Sequence, residues 1–360
     1  MTKTATHRRD DTAAMFAAAH INAERKPDGS IWLKSATPLD DYARCVGDWL
    51  ERWAAETPNA IFIAERASAD APWTKLNYRD TLKRVRAAGG WLLSQNMSAQ
   101  CPLAILSDNS IDHAVFSLAA MHVGVPVAPI SPAYSLVSKD FDKLKTMMTL
   151  LEPGAIYVAS AKQFASALRA IAKLHTAKIV AGDPSGYDGA LAFSEITGAQ
   201  ESAAVATAFA GVDYDTIAKF LFTSGSTGSP KAVINTQRML TSNQAAKLQC
   251  WTFLTEGPLT TLDWLPWSHT FGGNHNFNGV LRTGGTLHID SGKPAPGLFA
   301  LSLANLRDIM PDVYFNVPRG YDMLVAALRD DEALRRRFFS GVKLMFYAGA
   351  ALPQNLWEAL

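Results

Sequence analysis

The segment from Thr223 to Lys231 has the residue types of a phosphate-binding loop. It follows an apolar run that ends at Phe222, and its residues are Thr223, Ser224, Gly225, Ser226, Thr227, Gly228, Ser229, Pro230 and Lys231. Glycines let backbone N–H groups approach an anion, hydroxyls donate to phosphate oxygens, and a lysine adds a mobile positive charge. The combination predicts that this segment binds a polyphosphate.

The spacing differs from that of the Walker phosphate loop, which needs Gly-x4-Gly-Lys-Ser/Thr at the start of a helix. Here Gly225 and Gly228 are three positions apart, Pro230 precedes Lys231, and the apolar residues 232–234 predict a strand. A P-loop kinase or ATPase is therefore a poor match. A Ser/Gly-rich turn that binds no ligand is the structural alternative.

A second segment, residues 264–278, has the composition of a ligand pocket, which is mostly apolar with a few placed polar groups. Its aromatic and polar residues include Trp264, Trp267, His269, Phe271, Asn274, His275, Asn276, Phe277 and Asn278. Aromatic walls would stack on a flat acid, and an Asn or His would meet a ring hydroxyl. The alternative is a Gly-rich turn in which these polar groups satisfy the local backbone. The spacing of His269 and His275 places no third zinc ligand, so no metal site is predicted.

The elements around these segments predict an α/β fold. Apolar strands alternate with amphipathic helices, a pattern that indicates mostly parallel sheets covered on both faces. We expect an N-terminal arm over residues 1–40, a first α/β subdomain over 41–185, and a second over 186–360 that contains the phosphate loop. The last predicted helix is barely two turns long where the sequence stops. We therefore expect the second subdomain to be incomplete.

Composition and charge exclude several classes of protein. The 360 residues carry 34 Lys plus Arg and 33 Asp plus Glu, so there is no basic field to attract nucleic acid or an anionic membrane. The longest stretch without charged residues, 113–138, contains two His and three Pro and predicts a buried helix plus a strand rather than a membrane span. Three distant cysteines fit a reducing cytoplasm. The sequence predicts a cytoplasmic protein and does not indicate an oligomeric state.

The Thr223–Lys231 segment resembles the phosphate-binding signature of the adenylate-forming (AMP-binding) ligases, which include acyl-CoA synthetases, luciferases and peptide-synthetase adenylation domains. Residues 76–80 and 124–132 are similar to earlier family motifs. Residues 348–353 resemble the segment whose backbone lies against adenine, here Gly349, Ala350 and Ala351. Within the family, residues 45–53, 233–239 and 263–277 look most like feruloyl-CoA synthases.

The resemblance implies the large N-terminal domain of these enzymes, built from stacked α/β subdomains without the C-terminal lid domain. It implies that ATP, with Mg²⁺, converts a carboxylic acid to an acyl-adenylate, and that coenzyme A then displaces AMP. The implied acid is a hydroxycinnamate such as ferulate. Residues 223–228 would contact the β- and γ-phosphates, and Lys231, His269 and Thr223 would be catalytic. The implied acid pocket consists of His269, Phe271, Gly272, Gly273 and Asn274.

The family pattern continues with a Tyr-Gly-x-Thr-Glu stretch, a ribose-binding Asp and a C-terminal domain that carries a Lys for adenylation. None of these occurs before Leu360, so we expect the 360-residue chain by itself to be inactive or impaired. Three alternatives remain open: a medium- or long-chain fatty acid–CoA ligase, a non-catalytic nucleotide- or acyl-binding module ending at residue 360, and an adenylation domain that serves a carrier protein.

Overall fold

Fifteen strands and fourteen helices are formed in the computed structural model, which describes residues 15–223 and 228–360. The strands are β1 (Ile21–Arg25), β2 (Ile31–Ser35), β3 (Ile61–Glu65), β4 (Thr74–Asn77), β5 (Leu103–Ile105), β6 (Val127–Pro129), β7 (Ala155–Ser160), β8 (Lys178–Asp183), β9 (Leu191–Ala192), β10 (Ile217–Thr223), β11 (Lys231–Thr236), β12 (Thr260–Asp263), β13 (Thr286–Ile289), β14 (Val313–Asn316) and β15 (Leu344–Tyr347).

The helices are α1 (Val46–Glu56), α2 (Tyr78–Ser94), α3 (Ile111–His122), α4 (Ala133–Leu136), α5 (Asp142–Leu151), α6 (Ala161–Ile171), α7 (Phe193–Gly198), α8 (Ala203–Gly211), α9 (Gln237–Cys250), α10 (Phe277–Thr283), α11 (Phe299–Asp308), α12 (Pro318–Asp330), α13 (Glu332–Gly341) and α14 (Gln354–Ala359). A 3₁₀ turn over Thr252–Thr255 follows α9, and a π-helix over Phe271–Asn276 precedes α10.

The largest sheet has seven strands in the order β11-β10-β6-β5-β7-β8-β9. All its neighbouring strands are parallel except β10 and β11, which form an antiparallel hairpin at one edge. A second sheet has the order β12-β13-β3-β4, and β14 pairs in parallel with β15. Mostly parallel sheets with helices between them confirm the predicted α/β class.

The helix α3 shows how the sequence builds the hydrophobic core between the sheets and helices. Ser110 caps its N-terminus, because the Ser110 hydroxyl accepts a hydrogen bond from the backbone N–H of His113 at 3.0 Å. Apolar residues occur around the whole circumference of α3, and all of its residues except Asp112 are buried. A helix that is apolar all round must be covered on every side. It belongs to the largest apolar cluster, to which strands of both large sheets contribute.

The sheets do not divide at the expected boundary between residues 185 and 186. Strands β10 and β11 follow that boundary in sequence but join the sheet formed by β5–β9. In the same way, β13 pairs with β3, which lies about 220 residues earlier in the chain. A local hydrophobic pattern can predict a strand but carries no information on the strand's distant partner, and this is why the expected boundary differs from the sheet topology.

Part of the predicted N-terminal arm forms an antiparallel ribbon of β1 and β2. Every residue of both strands is exposed, so the ribbon lies on the surface. Residues 1–14 of the predicted arm lie outside the described residues. Among the described helices, none is both long enough and apolar enough to cross a membrane.

Candidate active site

The β10–β11 hairpin carries the predicted phosphate loop at its tip. Thr223 and Lys231 are directly opposite each other in the antiparallel register, and both are exposed. Gly228 has a φ of +82°, a conformation that favours glycine, and a Cβ added there would have no atom of residues 15–223 or 230–360 within 4 Å. Ser224, Gly225, Ser226 and Thr227 lie outside the described residues, so their predicted phosphate contacts stay a prediction.

The turn that follows β12 places His269 at the surface. The backbone N–H of Trp267 donates to Oδ1 of Asn109, and Nδ2 of Asn109 donates to the carbonyl of Leu265, at 3.0 and 2.9 Å. These two bonds tie the turn to the loop before α3. His269 lies two residues after Trp267 and is exposed. Its carbonyl oxygen accepts a hydrogen bond from the backbone N–H of Gly273 at 2.9 Å. The predicted catalytic histidine is therefore held at the start of the π-helix.

Gly272 and Gly273 lie against the backbone of that turn. A Cβ on Gly272 would lie 2.3 Å from the carbonyl oxygen of Leu265, and one on Gly273 would lie 2.4 Å from that of Trp267. Both glycines are buried, and neither lines the cavity described below. The absence of a side chain at these two positions allows the close packing of two backbone segments, and their expected contacts with the acid stay a prediction.

Buried side chains satisfy the carbonyl groups of the π-helix. Nζ of Lys219 donates to the carbonyl of Gly273 at 3.0 Å, and Nζ of Lys247 donates to the carbonyl of His275 at 2.9 Å. Nε2 of Gln244 donates to the carbonyl of Asn274, also at 2.9 Å. Burial lowers the pKa of Lys219 to about 8 and that of Lys247 to about 7, since a buried ammonium loses its hydration.

Sequence reasoning missed these three residues. Lys219 interrupts the apolar strand β10, and a charged residue at a buried strand position is a signal that could have identified it. Lys247 and Gln244 lie on the helix α9, where lysine and glutamine are ordinary surface residues. Only the packing of α9 against the π-helix shows that they are buried.

A cavity of about 410 Å³ lies among β11, α9, the π-helix and the end of β15. Its lining residues are Asn235, Met239, Leu240, Asn243, Thr270, Phe271, Asn274, His275, Phe346 and Ala348. The cavity brings together Phe271 and Asn274 from the predicted pocket. It lies next to two further predicted segments, because Thr270 follows His269 and Ala348 precedes Gly349.

The cavity combines aromatic walls with amide groups. The ring of His275 is stacked on that of Phe346, with centroids 5.5 Å apart, and Phe271 lies 5.8 Å from Phe346. Nδ2 of Asn274 donates to Oδ1 of Asn235 at 3.0 Å. Oδ1 of Asn274 is buried and has no hydrogen-bond partner within the described part of the chain. The bonded amides of Asn274 and Asn235 thus form a polar patch in an otherwise aromatic wall.

The predicted adenine-binding segment follows β15 as an open turn. Gly349 has a φ of +93°, and Gly349, Ala350 and Ala351 are all exposed. Exposed backbone groups without a bulky side chain allow a flat ligand to lie against them. The turn begins at the cavity, since Ala348 lines it.

Two curated proteins of Mycobacterium tuberculosis are similar to this chain. A carboxylic acid reductase is 25% identical over 256 residues, which cover 66% of this chain and 21% of that protein. A CoA ligase, named 3-[(3aS,4S,7aS)-7a-methyl-1,5-dioxo-octahydro-1H-inden-4-yl]propanoyl:CoA ligase, is 27% identical over 251 residues, which cover 68% of this chain and 46% of that protein. The chain thus spans less than half the length of either relative.

A crystal structure of the anthranilate CoA ligase AuaEII in complex with anthranoyl-AMP has a similar fold. The TM-score is 0.70 at 19% identity, and the match covers 90% of this chain and 58% of that one. The likeness confirms the predicted fold, that of the N-terminal domain of adenylate-forming enzymes. Residues 50–360 match the family described as AMP-binding enzyme. Because this match includes the β10–β11 hairpin, the cavity and the turn after β15, the chain belongs to the AMP-binding enzyme family.

Proposed function

We propose that the chain is the nucleotide- and acid-binding part of an ATP-dependent acid–CoA ligase that acts on an aromatic, hydroxycinnamate-like acid. The observation that carries the proposal is the cavity with aromatic and amide walls between His269–Thr270 and Ala348–Gly349. An acid in this cavity would have its carboxylate near His269 and the turn at residues 349–351. The phosphate loop is joined to the same cavity by β11, in which Lys231 and Asn235 are about 13 Å apart at the usual strand rise.

The described residues fit ATP as the co-substrate. Thr223 and Lys231 face each other across the hairpin, and both are exposed, so the lysine side chain would be able to reach a phosphate. Thr223, Gly228 and Lys231 would hold the β- and γ-phosphates together with the predicted donors at 224–227. The exposed backbone at residues 349–351 would lie against adenine. ATP would cap the acid as a mixed anhydride with AMP, which removes the carboxylate charge and supplies a good leaving group.

The protein's own contribution in this proposal is positioning and charge stabilisation. Lys231 and the loop donors neutralise charge on the departing pyrophosphate, and His269 orients the carboxylate. Mg²⁺ would accompany ATP. Within residues 15–223 and 228–360, no group of three His, Cys, Asp or Glu residues is placed to hold a metal ion, so no magnesium ligand is assigned.

The polar lining favours an aromatic acid over a fatty acid. The walls carry the amides of Asn235, Asn243 and Asn274 and the hydroxyl of Thr270. An alkyl chain would offer no hydrogen bond to these groups, and each donor or acceptor that loses water without a new partner would cost about 1–3 kcal/mol. A phenolic ring would stack on Phe346 or Phe271 and bond to an amide. The names of the similar CoA ligases support an acid–CoA ligase, and one of them acts on an aromatic acid, anthranilate.

The carboxylic acid reductase among the relatives supports a second candidate, in which the adenylate passes to an acceptor other than free coenzyme A. The two candidates share the first half-reaction and differ in the second. Mass spectrometry of the products formed by the intact source protein from ferulate, ATP and coenzyme A separates them. Feruloyl-CoA supports the proposal, whereas feruloyl-AMP without the thioester supports the second candidate.

The substrate is tested by acid-dependent pyrophosphate release with ferulate and with octanoate. We expect ferulate to be used faster. In an Asn274→Leu variant, the ratio of the ferulate rate to the octanoate rate should fall roughly tenfold, since a polar contact to the ring is replaced by an apolar one. A Leu240→Met variant in the same lining is the matched control and should keep the ratio. Octanoate used as fast as ferulate by the unmodified protein would contradict the proposed substrate.

A further inference from the structure

A line of side-chain hydrogen bonds joins a buried carboxylate to the cavity. Asp263, at the end of β12, is 2% exposed, and Asn276, the last residue of the π-helix, is fully buried. Nδ2 of Asn276 donates to Oδ2 of Asp263 at 2.8 Å. Oδ1 of Asn276 lies 2.9 Å from Nδ1 of His275, a residue that lines the cavity. We call Asp263, Asn276 and His275 the relay.

The chemistry of the carboxylate sets the direction of each bond in the relay. The backbone N–H of Leu265 donates to Oδ1 of Asp263 at 3.0 Å, so each carboxylate oxygen has an N–H donor. An ionised carboxylate only accepts hydrogen bonds, so the amide nitrogen of Asn276 must face Asp263. The amide oxygen of Asn276 then faces His275 and accepts from it. Nδ1 of His275 therefore carries the proton.

The second ring nitrogen of His275 is left as an acceptor. Burial, together with the nearby Lys247 charge, lowers the pKa of His275 to about 4, so the imidazole is neutral near neutral pH and above. In a neutral imidazole with the proton on Nδ1, Nε2 has a lone pair. The structure shows no hydrogen bond at Nε2 among residues 15–223 and 228–360. The ring is held in place by stacking on Phe346.

We propose that the relay locks His275 in the Nδ1–H tautomer, so that its Nε2 selects acids whose ring carries a hydrogen-bond donor, such as a phenolic hydroxyl, over O-methylated analogues. This inference rests on the proposed function. His275 acts on specificity through contact with the acid, and Asp263 and Asn276 are positioning residues.

An Asp263→Asn variant should reverse the direction of the hydrogen bonds in the relay, with little change in side-chain shape. An asparagine at this position keeps an oxygen for the backbone N–H of Leu265 and offers an N–H₂ group to Asn276. The amide of Asn276 then turns its oxygen toward position 263 and its nitrogen toward His275. Nδ1 of His275 becomes the acceptor, and the proton moves to Nε2.

The first experiment observes the tautomer directly. Long-range ¹H–¹⁵N correlation spectra of the chain with ¹⁵N-labelled histidine, recorded at pH 8.5, distinguish Nδ1–H from Nε2–H, and a His275→Gln variant assigns the signal. We chose this pH because burial raises the pKa of Asp263 to about 7, so its carboxylate is ionised there. We expect Nδ1–H in the unmodified chain and Nε2–H in Asp263→Asn. A signal for Nε2–H in the unmodified chain would overturn the relay.

His113 supplies an internal control in the same spectra. Its Nδ1 lies 3.1 Å from the carbonyl oxygen of Asp108, so it also carries the proton on Nδ1. It does not belong to the relay, and its signal should stay that of Nδ1–H in Asp263→Asn. If the tautomer signal of His113 changed in Asp263→Asn, the variant would have disturbed the fold. The relay would then be tested by the His275 tautomer and the binding selectivity of the unmodified chain alone.

The second experiment measures selectivity as the ratio of dissociation constants for ferulate and 3,4-dimethoxycinnamate, by calorimetry at pH 8.5. The unmodified chain should bind ferulate about tenfold more tightly, the scale of one hydrogen bond, and Asp263→Asn should remove the preference. If the two acids bound equally well, the proposed selection of phenolic acids by His275 would be refuted, whereas the proposed function would stand. If neither acid binds, the proposed function fails and the inference fails with it.

Discussion

Gly272→Ala tests the close packing that supports the candidate site. In the structure, the added Cβ would lie 2.3 Å from the carbonyl oxygen of Leu265 and 2.7 Å from that of Pro266. Both contacts are to backbone, which cannot rotate away as a side chain can. An ordinary contact begins near 3.4 Å, so the π-helix must move away from the turn by about 1.1 Å. A displacement of this size also strains the bond between Lys247 and the carbonyl of His275.

We expect two measurable effects of Gly272→Ala. Overpacking of this kind costs about 1–3 kcal/mol in the free energy of unfolding, measured by denaturant titration. A shift of about 1 Å in groups that position a substrate can lower the rate about 100-fold, measured as ferulate-dependent pyrophosphate release by the intact protein. Gly257→Ala is the matched control, because a Cβ there meets no atom within 4 Å. If Gly272→Ala matched Gly257→Ala in both measurements, the close approach of the two backbones would be refuted.

Three further predictions concern single side chains. Lys231→Ala should lower pyrophosphate release roughly tenfold with unchanged stability, since Lys231 is exposed; unaltered release would remove it from the phosphate role. The pKa of Lys247 is lowered from 10.5 to about 7, so the unfolded chain binds more protons between these values and stability rises with pH across that window. Lys247→Met should flatten this rise by about 1 kcal/mol per pH unit in unfolding titrations, and an unchanged slope would contradict the burial of the amine. Ser110→Ala should destabilise the protein by about 1 kcal/mol through loss of the α3 cap, whereas no change in the unfolding midpoint would contradict the capping bond.

The sequence by itself determined the local elements and the type of chemistry. The short apolar sequences of β5 and β7 are typical of buried strands, and both strands are largely buried in the structure. Ser110 at the start of α3 is a residue type that caps helices, and capping is visible in the sequence because it depends on neighbouring residues. The prediction of a phosphate loop at Thr223–Lys231 has the same basis, because such a loop consists of consecutive residues whose composition is visible without the fold.

The segment predicted to form the acid pocket contributes to a cavity, and its role in binding the acid stays a prediction. Phe271 and Asn274 line the cavity, and His269 lies beside Thr270, which also lines it. The glycines of the same stretch serve backbone packing instead, and composition cannot distinguish a glycine that faces a ligand from one that faces another segment of backbone. The opposite wall comes from β11 and α9, about 30 to 40 residues earlier in the chain, and from β15 and Ala348, about 70 to 80 residues later. A local sequence pattern does not indicate which distant wall closes a pocket.

Only the tertiary structure decided how strands from distant parts of the chain share sheets and which polar groups are buried. The pairing of β10 with β6 and of β13 with β3 depends on long-range contacts rather than on the strands' own residues. Lys247 and Asp263 resemble surface residues in the sequence, yet burial removes their hydration and moves the pKa of each to about 7. A side chain loses its hydration only when the folded chain packs around it. A buried polar group must then find hydrogen-bond partners within the protein, and the directions of those bonds depend on the fold as well.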